Sequence, residues 1–239
     1  DLPGWVFLDW VWPRGVPPGN CALSWMFVLA LEGMAELESY FGDSSRSREY
    51  ETLAMETGAE IMKRRFDDRR GIFADDEAHR EFSEHPQALA LLTRQVSGEM
   101  AKSLAAGLRG PLVRCGIHFS HYYLEACAKM RMPDLFFERL AKWFALEGEG
   151  LKTLPEDFSH TRSDCHAWSS HVLYHYFASI LGVRPAAPGF SKISVSPMTG
   201  PLAFARGEMP HPAGKIRVEV SGEKIDVQSG GIPFEILRG

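Results

Sequence analysis

The sequence predicts a mainly α-helical protein that carries a small β domain at its C-terminal end. Three observations lead there. Apolar residues recur at helical spacing through successive segments between Asn20 and Gly182. Alternation with period two replaces that spacing after Gly182. Short and medium connections join the helical segments, the pattern of paired helical hairpins.

In order along the chain, "CALSWMFVLALEGMAELESYFG" is helical from Asn20, with Gly42 as its stop. "SREYETLAMETGAEIMKRRF" predicts a second helix from about Ser47 to Phe66. The polar, turn-rich "DDRRGIFADDEAHREFSEH" reads as a long loop. Helices resume in "PQALALL", opened by a first-turn proline, and in "SGEMAKSLAAGL". "GIHFSHYYLEACAKM" and "PDLFFERLAKWFALEG" follow, and "CHAWSSHVLYHYFASILG" is the last. Beyond Gly182 the run Lys192 to Ser196 alternates, "GKIRVEVSGEKIDVQSGG" reads as a hairpin around Ser-Gly-Glu, and "IPFEILRG" as a final strand. The expected division is residues 1–182 helical and residues 183–239 β. No internal repeat marks a regular solenoid.

The 239 residues fit one large domain or one domain plus a small one. Hydrophobic residues make up 45% and charged residues 24%, as in an ordinary globular protein. No run approaches the roughly 18 apolar residues of a membrane span, so no membrane partner is expected. The net charge of −5 gives nucleic acid no support as a partner. Residues 183–239 hold seven basic and five acidic residues, so of that −5 they carry +2 and residues 1–182 carry −7. Cys21, Cys115, Cys127 and Cys165 are too few and too scattered for a disulfide framework or a CxxC metal site, and read as buried free thiols. The chain opens at Asp1 with neither methionine nor signal peptide, on the aromatic "DLPGWVFLDWVWPRG", which suggests a processed protein or a fragment. Localisation, cytoplasmic or periplasmic, is not legible.

The chemistry concentrates in "LKTLPEDFSHTRSDCHAWSSH", residues 151–171. Pro155 biases Leu154 towards extended backbone, which puts Glu156 on a loop. His166 and Trp168 open the next helix. A loop carboxylate beside an imidazole and an indole suits a polar, ring-shaped ligand, and equally suits an ordinary helix entry.

"SDCHAWSSHVLYHYFASILGVRPAAPGFSKISVSP" resembles the end of the bacterial α-L-rhamnosidases of glycoside hydrolase family 78, where a helix leads through "GIRPAAPGF" into a C-terminal β-domain. "FLDW" at 7–10 is similar to the family's Phe-x-Asp-Trp turn, "HPQALALL" at 85–92 to its Gln-Ala-x-Ala helix, and "GEGLKTLPEDF" at 148–158 to its Gly-Ala-Thr-Thr-x-Trp-Glu segment. The resemblance runs over nearly the whole chain, and "GVRPAAPGF" is its most specific piece.

The resemblance implies a partial (α/α)6 toroid of helical hairpins, a sandwich-like β-domain, and hydrolysis of terminal α-L-rhamnosides with inversion. Inversion uses an acid on the leaving oxygen and a carboxylate that activates water, about 6.5–9.5 Å apart. By position, Glu156 matches the general base and His166 a histidine that contacts the sugar. Asp9 and Trp10 match a turn lining the pocket, where an indole covers the apolar face of a 6-deoxy sugar. Trp168 reads equally as core or pocket rim. The resemblance places Glu156, His166, Asp9 and Trp10 on one concave surface. Rhamnose-containing glycosides or polysaccharides are the implied partners, with no cofactor, and self-association of uncovered helix faces is expected.

Two departures stand out. Pro155 replaces a tryptophan found in many members. The family's general acid lies in a carboxylate-rich motif preceding the Phe-x-Asp-Trp turn, and no residue here matches it. The alternative is therefore a non-catalytic carbohydrate-binding or structural remnant, and an enzyme of another (α/α)6 family is a weaker third. His171 and His175 have the i,i+4 spacing of metal ligands, but Val-Leu-Tyr between them lacks the glutamate of a zinc-protease helix, so core packing is the expectation and no metal. Trp5, Trp12 and Trp25 read as packing. The acidic run "FADDEAHREFSEH" lacks a calcium-loop ladder, and no phosphate cradle or nucleophile elbow is present.

Overall fold

The computed structural model of the chain describes residues 7–13, 20–159 and 162–237. Trp5 and the start of the aromatic stretch lie outside the described residues. The protein is mainly α with small β-sheets, and it divides into two compact units, Asp1–Met130 and Arg131–Gly239. This compact division falls inside the helical part, ahead of the change of element type at Gly182. No described helix is long and apolar enough to cross a membrane.

In the first unit α1 (Asn20–Phe41) and α2 (Ser44–Arg65) form a hairpin. Asp43 caps α2 by accepting Ser45 N–H at 2.7 Å, which starts the helix earlier than the apolar spacing suggests. α1 buries Trp25, Val28, Leu31 and Ala35 on one side. Its other side exposes Phe27, Met34, Leu37 and Phe41, the last at 79%. The segment expected as a polar loop contains a small hairpin and is buried in part. β1 (Phe66–Asp67) pairs with β2 (Ile72–Phe73), and Phe73, Ala74 and Asp75 are buried. Side-chain bonds from Asp67 to the Arg69 and Arg70 amides close the turn between them, a local device that composition does not reveal.

α3 (Glu84–Leu92), α4 (Gly98–Gly107) and α5 (Ser120–Lys129) complete the unit, and α3 packs on α1, α4 and α5. Every residue from Glu84 to Leu91 is buried. Cys21, Cys115 and Cys127 are buried free thiols, as expected of small apolar residues; Cys165, expected buried, is exposed because it sits on a loop.

The second unit begins with α6 (Pro133–Gly148), with the proline at its first position. The expected final helix is split. A 3-10 turn (Ala167–Ser170) leads into the short α7 (His171–His175) and then a π-helical turn (Tyr176–Ile180), in which Leu181 N–H reaches Tyr176 O at 3.1 Å. Arg184 donates to Ala178 O at 2.8 Å, and Ser179 Oγ lies 3.0 Å from His175 Nδ1. These bonds hold the wider turn.

After Gly182 two three-stranded sheets form, ordered β3-β4-β8 and β5-β6-β7. Their strands are β3 (Val183–Pro185), β4 (Ile193–Val195), β5 (Phe204–His211), β6 (Gly214–Ser221), β7 (Lys224–Gln228) and β8 (Phe234–Ile236). Val183, Ile193 and Val195 from one sheet meet Ile216, Val218 and Val220 from the other in one core, which makes a small sandwich. β5 was not expected, because "FARGEMPH" carries Gly207 and Pro210 and buries neither face fully. It is an edge strand, where a missing N–H is tolerated.

Gly182 joins the two kinds of structure. Its φ is +71°, and a Cβ there would stand 2.1 Å from the Ser196 backbone, while its carbonyl accepts Ser196 N–H at 2.9 Å. An L-residue in that region costs about 1–2 kcal/mol before any clash. Gly182→Ala should therefore lower the unfolding free energy by at least about 1–2 kcal/mol in urea titration. An unchanged midpoint would show that the entry to β3 shifts freely.

Candidate active site

The loop after α6 closes on itself. His166 N–H donates to Leu154 O at 2.7 Å and Glu156 N–H to Ser163 O at 2.8 Å, and Thr153 Oγ1 donates to Asp164 O. The extended backbone favoured ahead of Pro155 makes the first of these bonds accessible. Ser169 Oγ donates to His166 O at 2.8 Å, and Trp168 Nε1 donates to Glu156 O at 2.8 Å. The His166 and Trp168 rings stand 4.2 Å apart. Three residues spread over twelve positions thus become one cluster. Their side chains differ in exposure: Glu156 is buried, while His166 and Trp168 are half-buried.

The Glu156 carboxylate is covered mainly by the guanidinium of Arg162. Nη2 donates to Oε1 at 2.7 Å and Nε to Oε2 at 3.4 Å. Arg162 is itself 75% exposed on its side chain, so the ion pair opens to water on that side although the Glu156 side chain is buried. Arg162 first, with help from His166, holds the Glu156 carboxyl below the ordinary carboxylate range. Asp157 is half-buried and accepts Phe158 N–H at 2.7 Å, a bond local to the turn. Phe158 packs edge-on against Trp143 at 4.8 Å, which ties the loop tip to α6.

A cleft of about 480 Å³ opens at the end of α6, lined by Trp143, Leu146, Glu147, Leu151, Lys152 and Leu154. Glu156 is outside that lining, so its carboxylate and this cleft are separate features. His171 and His175 share α7, with His175 buried and its ring 5.9 Å from Phe136.

Asp9 and Trp10 belong to the first unit and stand on a turn of their own. Trp10 is 45% exposed and its ring meets Phe7 edge-on at 4.8 Å. Asp9 is buried, and its oxygens accept from Trp10 N–H at 2.9 Å, Gly116 N–H at 2.7 Å and His85 Nε2 at 2.8 Å. The carboxylate therefore shapes the turn, and the indole beside it is what the turn presents. Trp12 stacks on His85 and Trp25 fills the core, in keeping with packing roles. Sequence reasoning missed Arg162 as the partner of Glu156 and His85 as the partner of Asp9: His85 opens the quoted stretch at 85–92, yet both roles are recognisable only by what the side chains contact.

No family model matches the chain. Over 116 residues it is 33% identical to an α-L-rhamnosidase of Alteromonas sp. (strain LOR), an alignment covering 43% of this chain and 12% of that protein. The fold matches a family 78 rhamnosidase of Bacillus sp. GL1 with a TM-score of 0.85 at 24% identity, over 98% of this chain and 28% of that one. An α-L-rhamnosidase of Streptomyces avermitilis, solved in complex with L-rhamnose, matches with a TM-score of 0.73 at 16% identity, over 90% of this chain and 22% of that one. The resemblance to family 78 read from the residues is borne out, and the chain spans about a quarter of the length of these two solved rhamnosidases and 12% of the Alteromonas protein.

The Glu156–Arg162 pair yields a test independent of activity. A depressed carboxyl contributes stability that is present above the ordinary carboxylate pKa and lost as pH falls through the folded value. Carboxyl-detected NMR titration should find Glu156 depressed in the wild type and moved up in Arg162→Ala. An unshifted Glu156 in the variant would assign the effect to another group.

Proposed function

We propose that residues 1–239 are part of an inverting glycoside hydrolase of the α-L-rhamnosidase type, acting on rhamnose-containing glycosides or polysaccharides. In this reading residues 1–182 belong to an (α/α)6 barrel and residues 183–239 are its C-terminal β-domain. The supporting observation is the closed loop that puts an ionised carboxylate, Glu156, beside His166 and Trp168 in a chain folded like family 78 rhamnosidases over nearly all its length.

Glu156 is the general base. Kept ionised at neutral pH, it takes a proton from water as that water attacks the anomeric carbon on the face opposite the leaving oxygen. Its charge pairing lowers its basicity, so Arg162 sets a compromise between being ionised and accepting a proton. In this reading His166 hydrogen-bonds a sugar hydroxyl and Trp168 offers an apolar face to the 6-deoxy ring. Asp9 holds Trp10, whose part as a sugar-facing wall rests on the resemblance alone. In this reading the general acid comes from the carboxylate-rich motif that precedes the Phe-x-Asp-Trp turn in family 78, which no residue of the chain matches by sequence.

An acid and a base are each worth about 10²–10⁴-fold. The 239-residue chain alone should therefore turn over an ordinary α-L-rhamnoside negligibly, and any residual rate should appear first on an activated aryl rhamnoside, which needs less leaving-group protonation. In a longer protein that includes the preceding segment, Glu156→Gln should cut kcat by about 10²-fold or more. Full activity in that variant would put the base elsewhere and leave the loop a helix entry.

The exposed side of α1 bears on partners as well. Phe27, Met34, Leu37 and Phe41 recur at helical spacing on a helix without a basic residue, and such uncovered apolar faces associate. The isolated chain self-associates in this reading. Light scattering should show a mass that rises with concentration and falls back in the double variant Phe27→Gln, Leu37→Gln. A concentration-independent monomer would count against it.

A further inference from the structure

Four buried side chains form a continuous hydrogen-bonded chain that the proposed chemistry does not use. Ser83 Oγ donates to Asp75 Oδ1 at 2.8 Å, His85 Nδ1 lies 3.0 Å from Ser83 Oγ, and His85 Nε2 lies 2.8 Å from Asp9 Oδ2. Each of the four residues is at most 4% exposed. Burial pushes the Asp75 carboxyl up to about 6, against the lowering by Ser83 and His85. The Asp9 end already accepts two backbone N–H groups, so His85 meets it as a donor through Nε2.

His85 grips the Trp10 turn at two points. Nε2 holds Asp9, one residue before Trp10, and the ring stacks on Trp12, two residues after it, at 4.5 Å and 21°. The imidazole is itself fixed, by Ser83 on its other nitrogen and by Phe119 at 4.4 Å. The turn from Phe7 to Pro13 has no regular secondary structure of its own. Without His85, the buried Asp9 would lose one of its three hydrogen-bond donors, a penalty best relieved by moving the carboxyl group to water. Trp10 is the next residue and would move with it.

We infer that His85, oriented by Ser83 and Asp75, is a positioning residue that fixes Trp10 through Asp9 and Trp12. Its meaning for sugar binding rests on the reading of Trp10 as a wall of the rhamnose pocket. The positioning itself does not.

The full chain labelled with 5-fluorotryptophan separates the two. Each indole gives its own fluorine resonance, and Trp10→Phe identifies the one of interest. In His85→Ala that retains its circular dichroism, the Trp10 resonance should move to the position of a solvent-averaged indole. The Trp25 resonance, from a fully buried indole of α1, should stay in place. Gly116→Ala approaches the same carboxylate from the other side, since its Cβ would stand 2.6 Å from Asp9 Oδ1, and should displace Trp10 likewise. This second variant decides the matter if the first does not fold. An unmoved Trp10 in a folded variant overturns the inference, and so does a joint shift of Trp10 and Trp25, which would make His85 a general core residue. Titration with L-rhamnose is the separate arm: a Trp10 shift in the wild type, with affinity about tenfold or more weaker in His85→Ala, ties the positioning to the sugar. Rhamnose that leaves wild-type Trp10 unshifted refutes the pocket reading, while the variant spectra still decide the role of His85.

Discussion

α3 has no face to solvent, and the first unit is organised around that constraint. A helix buried all round has to pass each polar side chain to a partner, because an unsatisfied buried group costs about 1–3 kcal/mol. Glu84 accepts Cys115 N–H at 2.8 Å. His85 goes to Asp9 and Ser83. Gln87 pairs with β2 as a strand would, accepting Phe73 N–H at 2.8 Å and donating to Phe73 O at 2.7 Å and Ser83 O at 3.0 Å. Three side chains of one short helix thereby fix the Trp10 turn, the small hairpin and the loop before α5.

Carboxylates of one chemical type end in three different states for reasons of environment. Glu156 is covered by an exposed guanidinium, stays close to water and is held ionised. Asp9 is removed from water but accepts three donors, so its charge is spent on geometry. Asp75 is buried with Oδ2 lacking a hydrogen-bond partner among the described residues, and burial pushes it up to about 6.

The junction between helix and sheet shows how local irregularity serves packing. The helical run through His171 ends in a wider turn because Arg184, Ser179 and His175 bond across it. Gly182 then turns the chain against Ser196, and Leu181 and Val183 on either side enter the sandwich core together.

The sequence by itself determined the helices from Asn20 to Gly148, the change of period at Gly182, the β6–β7 hairpin and the loop that carries Glu156. These rest on side-chain periodicity, proline and glycine, which act on neighbours along the chain. Tertiary structure decided the rest. The hairpin of β1 and β2 lies in a polar run that Gln87, Asp67 and Ser103 help hold in place, and β5 exists because β6 offers an edge. Asp9, readable as a pocket carboxylate from its motif, is bound by a histidine 76 positions away. Arg162 belongs to no motif and reaches Glu156 only because the loop closes. Contacts of that range leave no periodic trace, since their energy depends on which groups meet and not on their spacing in the chain.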